Sequence, residues 1–357
     1  MNEVDLSYQS FLAQASKNEK DNFEQTLLRQ TGIERQVLEQ NIKNDKEHLT
    51  IVNFCVNRFS PGAYLNSKTG YAWVRIEPLY SLKIKNFDIA IYNNRSKVMI
   101  LVDCKSGLHD ARREIEDIGE KVRIAIANRG ILSAMIGDNI ESLEFALCVK
   151  AGLVQAAKSA IVSTDTTCCL WSADIFGSTI HLEKLGEDSL AEIRAGRLHR
   201  EEDLRRILLG GVKETSSTRV VTFLPSSHMC GVLEEIVPSL RLEMEKTVSD
   251  QEEFALNDVQ NIIKREISLQ NFADSEKRSL AEKATFSALG SGIFVDLTPT
   301  ENALQLKKMK LGTGSKSAKH LAKDCREKYV AHHSRQTALR KTLATVNKQQ
   351  SDLLNYG

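Results

Sequence analysis

Apolar residues in the first part of the chain recur at three- and four-residue spacings: Phe11, Phe23, Leu27, Leu28, Ile33, Val37, Leu38 and Ile42. That period predicts helix through residues 5–58. The pattern thickens at Leu49-Thr50-Ile51-Val52-Asn53-Phe54, as in a helix packed on a core, and Pro61-Gly62 breaks it. The period then shortens to that of strands, predicted over 72–83, 87–92 and 98–105. Between the last two, Asn93-Asn94-Arg95-Ser96 has the chemistry of a hairpin turn. Val98-Met99-Ile100-Leu101-Val102 is apolar on both faces, which predicts a central strand covered on both sides.

After Ser106-Gly107 the helical period returns over 110–128. Asp110 is placed as the N-cap, and Ile115, Ile118, Val122 and Ile126 share one side. Strands at 145–149, 168–171 and 179–182, with a helix at 152–161, complete a mixed α/β core. Past residue 190 charged helical segments dominate, at 190–209, 231–248, 256–269 and 275–289. Short strands are expected at 220–224 and 293–297.

Within this frame Asp88, Asp103 and Lys105 end two strongly apolar runs. Side chains alternate along a strand, so Asp103 and Lys105 share a face that Cys104 does not. If the two strands pair, Asp88 lies across from them. Burying unpaired charge is costly, so these carboxylates need compensation. Hard carboxylate oxygens suit a magnesium ion that keeps several waters. A lysine two residues on could then serve an attacking water. The bland alternative is a structural ion pair at a strand end.

Asp88, fourteen intervening residues and then Asp103-Cys104-Lys105 resemble the PD-(D/E)xK nuclease signature, set in a hairpin whose central strand is followed by a helix. The segment 87–107 looks particularly like the cleavage domains of type IIS restriction endonucleases. The resemblance covers 87–107 as motif and about 40–185 as topology, and it implies a restriction-endonuclease-like mixed sheet flanked by helices. It further implies that Asp88, Asp103 and the Cys104 backbone carbonyl bind Mg2+, with Mn2+ as a substitute, and that Lys105 serves the nucleophilic water. Many members add a glutamate from the helix before the sheet. Glu47 is the candidate here, with Glu39 and Glu77 as alternatives. The signature's proline is absent, because Asn86-Phe87 precedes Asp88.

Composition changes this picture in one respect. The 357 residues carry a net charge of only +1, yet residues 307–357 hold 12 Lys and Arg against three acids, a net +9, and the 36 basic and 44 acidic residues of the remainder give −8. Such asymmetry points to an anionic partner, DNA in this reading, met by Lys307, Lys308, Lys310, Lys316, Lys319, Lys323, Arg326 and Lys328. The order of elements over 256–297 would also suit a helix-turn-helix with a wing, with Lys277, Arg278 and Lys283 on its second helix, although an ordinary helical bundle explains it as well. Arg112, Arg113, Glu114, Lys121 and Arg123 could meet a DNA backbone or be a solvated face.

Several features drop out. Gly312-Thr313-Gly314-Ser315-Lys316-Ser317 lacks the glycine before lysine that a phosphate loop needs. His332-His333 reads as a basic pair, and Trp171, Asp174 and His181 as packing and turn residues. Seven scattered cysteines suggest reduced, buried thiols in a cytoplasmic protein. No run is apolar enough to span a membrane. The expectation is a nuclease domain at 1–188 and a mainly α-helical DNA-binding domain at 189–357. Together they would form an endonuclease of restriction type, working as a homodimer where both strands are cut. The alternatives are a repair, recombination or transposon-end nuclease, or a DNA-binding protein with an inactive centre.

Overall fold

The computed structural model describes residues 3–214, 219–246, 253–296, 308–311 and 318–355. The chain opens with α1 (Glu3–Gln14), α2 (Lys17–Arg58) and α3 (Tyr64–Thr69). It continues through β1 (Ala72–Ile76), β2 (Ile89–Asn93), β3 (Val98–Lys105), α4 (Ala111–Ala127), α5 (Arg129–Ile136), β4 (Ser142–Lys150), α6 (Val154–Thr164), β5 (Cys169–Asp174) and β6 (Thr179–Glu183). Then come α7 (Ser189–Arg194), α8 (Glu202–Leu209), β7 (Val212–Lys213), α9 (Met229–Lys246), β8 (Glu253–Ala255) and α10 (Leu256–Arg265). The last elements are α11 (Asp274–Gly290), β9 (Phe294–Asp296), β10 (Lys308–Leu311) and α12 (Ala318–Asn355).

Two compact units result. One comprises residues 44–227 and 264–277, the other residues 1–43, 228–263 and 278–357. The expected division at 188/189 differs from this. Residues 189–227 group with the sheet, where β7 adds to β6, and residues 1–43 group with the C-terminal helices. Hydrophobic closure accounts for the second departure: Phe23 and Leu27 of α2 bury against Ala338, Leu339 and Leu343 of α12, with Tyr8 and Phe11 of α1 packed beside them. Contacts between distant segments of this kind leave no periodic mark in the sequence.

The sheet unit is a seven-stranded mixed sheet in the order β1-β2-β3-β4-β5-β6-β7. β1, β2 and β3 run antiparallel, β3-β4 and β4-β5 are parallel, and β5-β6 and β6-β7 are antiparallel. β3 is interior, and Met99 through Cys104 are all buried, as their apolar run requires. Met99 and Leu101 meet Ile115, Ile118 and Val122 of α4 and Ala157 and Ile161 of α6 in one core. Each large side chain buried there contributes about 1.5–3 kcal/mol. The opposite face receives the C-terminal part of α2, where the Phe59 ring stacks on Trp171 at 5.7 Å between centroids. Cys55 of α2, Cys104 of β3 and Cys148 of β4 also meet there, with the Cys55 and Cys148 sulfurs 3.3 Å apart and those of Cys104 and Cys55 4.0 Å apart.

Asp110 caps α4 as expected, accepting from the Arg113 N–H at 3.1 Å. Two expected strands change. β1 stops at Ile76, because Glu77 turns into the left-handed region at φ 41°. No strand forms at 220–224. There the Asn53 side chain stands in for a pairing strand, its Oδ1 accepting from the Val220 and Val221 N–H groups at 3.0 and 2.8 Å and its Nδ2 donating to the Val221 carbonyl at 2.7 Å. The helix expected at 190–209 is two helices, α7 and α8. All seven cysteines are free and buried. No helix among the described residues is long and apolar enough to cross a membrane.

Candidate active site

Hydrogen-bond register builds the site. Asp88 stands one residue before β2, and its N–H donates to the Val102 carbonyl at 2.9 Å. Ile89 pairs with Val102, so the next antiparallel step sets Asp88 across from Asp103. Asp103 is only 1% exposed. Its Oδ1 accepts from the Lys121 ammonium of α4 at 2.5 Å, while the Lys105 Nζ lies 3.3 Å from Oδ2. Oδ2 accepts no hydrogen bond and is buried.

Asp88 is held from two sides. Its Oδ2 accepts the Cys104 backbone N–H at 2.6 Å and lies 3.1 Å from His48 Nε2 on α2. Glu77 adds a third acid nearby. Its N–H donates to the Asp88 carbonyl at 2.8 Å, and its own carboxylate accepts from the Ser226 N–H at 2.9 Å.

The charges compensate one another. Burial pushes the Asp88 carboxyl upward, but His48 above all, with Lys121 and the Cys104 amide, more than reverses this and holds it at about 2. Burial alone would depress the His48 imidazole; Asp88 and Asp103 lift it to about 9, so it is a cation at neutral pH. Burial likewise opposes the Lys121 ammonium, and Asp103 and Asp88 raise it nonetheless. Glu77 has less compensation, and burial pushes it up to about 7.

Asp88, Asp103 and Lys105 are therefore brought together. Glu47 is not among them: its carboxylate meets the Lys150 ammonium at 2.8 Å. Glu39 lies at i+4 from Arg35 and pairs with it at 3.1 Å. His48 occupies the position on α2 nearest the acids. A signal for this existed in the helical phase. Residues 48, 52, 55 and 59 form one stripe, of which Val52, Cys55 and Phe59 are fully buried, and Glu47 falls one step off it. Lys121 follows the same logic, one turn beyond buried Ile118 on the face of α4 that meets the sheet.

Do these residues fit magnesium? Two hard carboxylates on adjacent strands, one with a buried oxygen that accepts no hydrogen bond, suit an ion that retains most of its water. They do not make a closed cage, since no group of three or more His, Cys, Asp and Glu among the described residues is arranged to hold a metal ion.

A second polar cluster lies near the opposite end of β4 and β5, beside a cavity of about 270 Å³ lined by Glu144, Cys169, Arg194 and Arg200. Trp171 Nε1 donates to His199 Nε2 at 2.9 Å, so Nδ1 carries the ring hydrogen and donates to Glu144 Oε2 at 2.6 Å. Glu144 Oε1 also accepts the Arg200 N–H at 3.2 Å. Cys169 Sγ lies 3.7 Å from the same Nδ1. Both ring nitrogens are engaged and neither is left to act as a base toward the thiol, so the cluster is structural. Asp174 caps its turn by accepting from Gly177 N–H at 2.9 Å, and Trp171 is fully buried, as packing and turn roles require.

Of the basic positions expected to meet DNA, Lys319, Lys323, Arg326 and Lys328 lie on α12. Lys323 and Glu327 pair at 3.8 Å, and the Lys328 ammonium donates to the Gly292 carbonyl at 3.2 Å. Lys307 and Lys316, the segment 312–317, and the side chains of Lys308 and Lys310 lie outside the described residues. Lys277 does not face solvent. It is 9% exposed, with its ammonium 3.5 Å from the Gln270 carbonyl.

No family model matches the chain. A protein of Archaeoglobus fulgidus, described only as uncharacterized, is 22% identical over 347 residues, covering 90% of this chain and 91% of the relative. No solved structure matches.

Proposed function

We propose that the sheet unit is a magnesium-dependent nuclease of the PD-(D/E)xK type that hydrolyses phosphodiester bonds in DNA, with a restriction role preferred over repair or recombination. The observation that carries this reading is the pairing of Asp88 with Asp103 at the end of β2 and β3. Lys105 lies 3.3 Å from Asp103, whose Oδ2 is buried and unclaimed by any hydrogen bond. The order helix, three antiparallel strands, helix, parallel strand supports it, because that is the restriction-endonuclease-like order the motif implies. The net +9 over residues 307–357 supports an anionic polymer as substrate.

Asp88 and Asp103 would hold the ion. When bound, Mg2+ polarises a phosphoryl oxygen and lowers the pKa of a coordinated water. The rest falls to this chain. Lys105 orients the attacking water and offsets charge gathering at the phosphorus. His48 fixes the rotamer of Asp88 and Lys121 that of Asp103, where its ammonium also competes with the ion.

The test is incubation of supercoiled plasmid with Mg2+, Mn2+ or chelator, repeated with Asp103→Ala and Lys105→Ala. Metal-dependent cutting lost in both variants is expected, and discrete fragments would favour restriction. Intact plasmid under every metal would overturn the enzyme reading, and cutting that survives both substitutions would show the site to be elsewhere.

A second reading, a DNA-binding protein with an inactive centre, draws on one observation. Lys121 and His48 already neutralise the carboxylates, so the cluster is stable as a pure ion network.

A further inference from the structure

In the other unit β8 leads into α10, and α11 follows, then β9 and β10, with residues 264–277, which end α10 and begin α11, grouped with the sheet unit. β10 pairs antiparallel with both β8 and β9, which gives the order β8-β10-β9. A first helix (α9), a short strand, two further helices and a returning pair of strands thus close a small sheet beside α10 and α11. That is a helix-turn-helix order with a two-stranded wing, and it departs from a plain helical bundle, which has no sheet.

Along α11 the two sides differ sharply. Leu280, Ala281, Ala284 and Ala288 are buried. Arg278, Ser279, Lys283 and Phe286 are exposed on the opposite side, Phe286 at 74%. The spacing of 279, 282/283 and 286 makes one solvent stripe two turns long. A helix that packs into a protein groove presents an apolar stripe of several residues. This stripe has one aromatic ring among two cations, a hydroxyl and one half-buried acid, Glu282. Those are the groups that read base edges in a major groove: Arg and Lys to guanine O6 and N7, Ser to either partner, and an apolar ring to the thymine methyl. Arg278 and Lys283 outnumber Glu282, so the net positive charge on that face complements the duplex.

We propose that this unit recognises double-stranded DNA through the exposed face of α11, with Arg278, Ser279, Lys283 and Phe286 at the base edges. α12 has a different part. It buries Leu321, Cys325, Val330 and Leu339, so it is a structural helix whose outward lysines contact phosphate only. This assignment does not rest on the nuclease reading, because recognition needs no metal and no cutting.

The test uses the full chain in chelator, where cleavage is absent. Short duplexes with randomised centres are selected on the protein, and affinities for the enriched pool are measured by fluorescence anisotropy. One sequence motif is expected to emerge. Arg278→Ala and Phe286→Ala should each weaken binding to it by about tenfold and relax the preference at a base position. Lys319→Glu with Lys323→Glu should lower affinity for every duplex alike and leave the motif unchanged. Both α11 side chains are exposed, and unchanged circular-dichroism melts would confirm that the variants fold. The proposal fails if no duplex binds at low ionic strength, if binding occurs without an enriched motif, or if neither α11 substitution alters it. It also fails if Phe286→Ala abolishes a self-association of the chain while DNA affinity stays the same. Because binding is read without metal, none of these outcomes depends on whether plasmid is cut.

Discussion

Replacing Lys121 by methionine isolates the ion network at Asp103. The Lys121 side chain is 12% exposed and the Asp103 side chain 1%, with 2.5 Å between Nζ and Oδ1. Removing one partner of a buried pair leaves an uncompensated charge and costs about 3–5 kcal/mol. Lys105 remains 3.3 Å from the other oxygen, which favours the lower end, about 3 kcal/mol. Asp117 on α4 also loses Lys121, 4.0 Å away, but Lys85 still holds it at 2.6 Å. For a unit of this size the melting temperature should fall by roughly 6–12 °C in chelator. Mg2+ should then stabilise the variant more than the wild type, because it no longer competes with an ammonium for Asp103. At about a hundredfold excess over Kd, binding contributes about 2.7 kcal/mol. Differential scanning fluorimetry with and without Mg2+ reads both effects. Equal melting temperatures in chelator, or an Mg2+ shift no larger than in the wild type, would refute the account.

Three further expectations follow from other parts of the molecule. His199→Ala leaves Trp171 Nε1 and the Glu144 carboxylate without their shared partner, so it should destabilise the sheet unit by about 2–4 kcal/mol in urea titrations. Its effect on plasmid cutting at permissive temperature should be small, and a complete loss there would place the catalytic centre wrongly. His333 is held down to about 4 by burial, with His332 and His228 adding to it, so its ring is neutral when folded. The unfolded chain binds that proton more readily, so stability is full above about pH 6.5 and is lost as pH falls toward 4. His333→Gln should flatten that slope in melts across the range, and parallel slopes would count against this. Since all seven thiols are free and buried, a thiol reagent should label the native protein slowly and label seven groups after denaturation; rapid labelling in the native state would contradict the packing of Cys55, Cys104 and Cys148.

Much of the sheet could be read from local pattern. β3, the Asp110 cap and the hairpin that sets Asp88 opposite Asp103 each rest on a signal within a few residues: an unbroken apolar run, a capping side chain, a turn sequence. The apolar run also foretold that Asp103 would be buried and in need of compensation. The identity of the compensating groups could not be read in the same way. His48 and Lys121 lie 55 residues before and 18 after Asp103 in sequence, and they reach Asp88 and Asp103, respectively, only because α2 and α4 pack near the site. Glu47, one residue from His48, is turned to Lys150 by the 100° step of the helix. Glu77 ends β1 through a backbone angle that carries no side-chain signature.

The sequence by itself determined the cores of β1 to β6, most of the helices, the convergence of Asp88, Asp103 and Lys105, and the basic C-terminal segment, because each depends on periodicity or composition over short spans. Tertiary structure alone decided which cations hold the two carboxylates, and that residues 1–43 group with α12. It also decided that β10 enters between β8 and β9 and that α11 turns Arg278 and Phe286 outward. These outcomes depend on contacts between segments far apart in the chain, where the free energy comes from burial shared by several elements and no single segment records it.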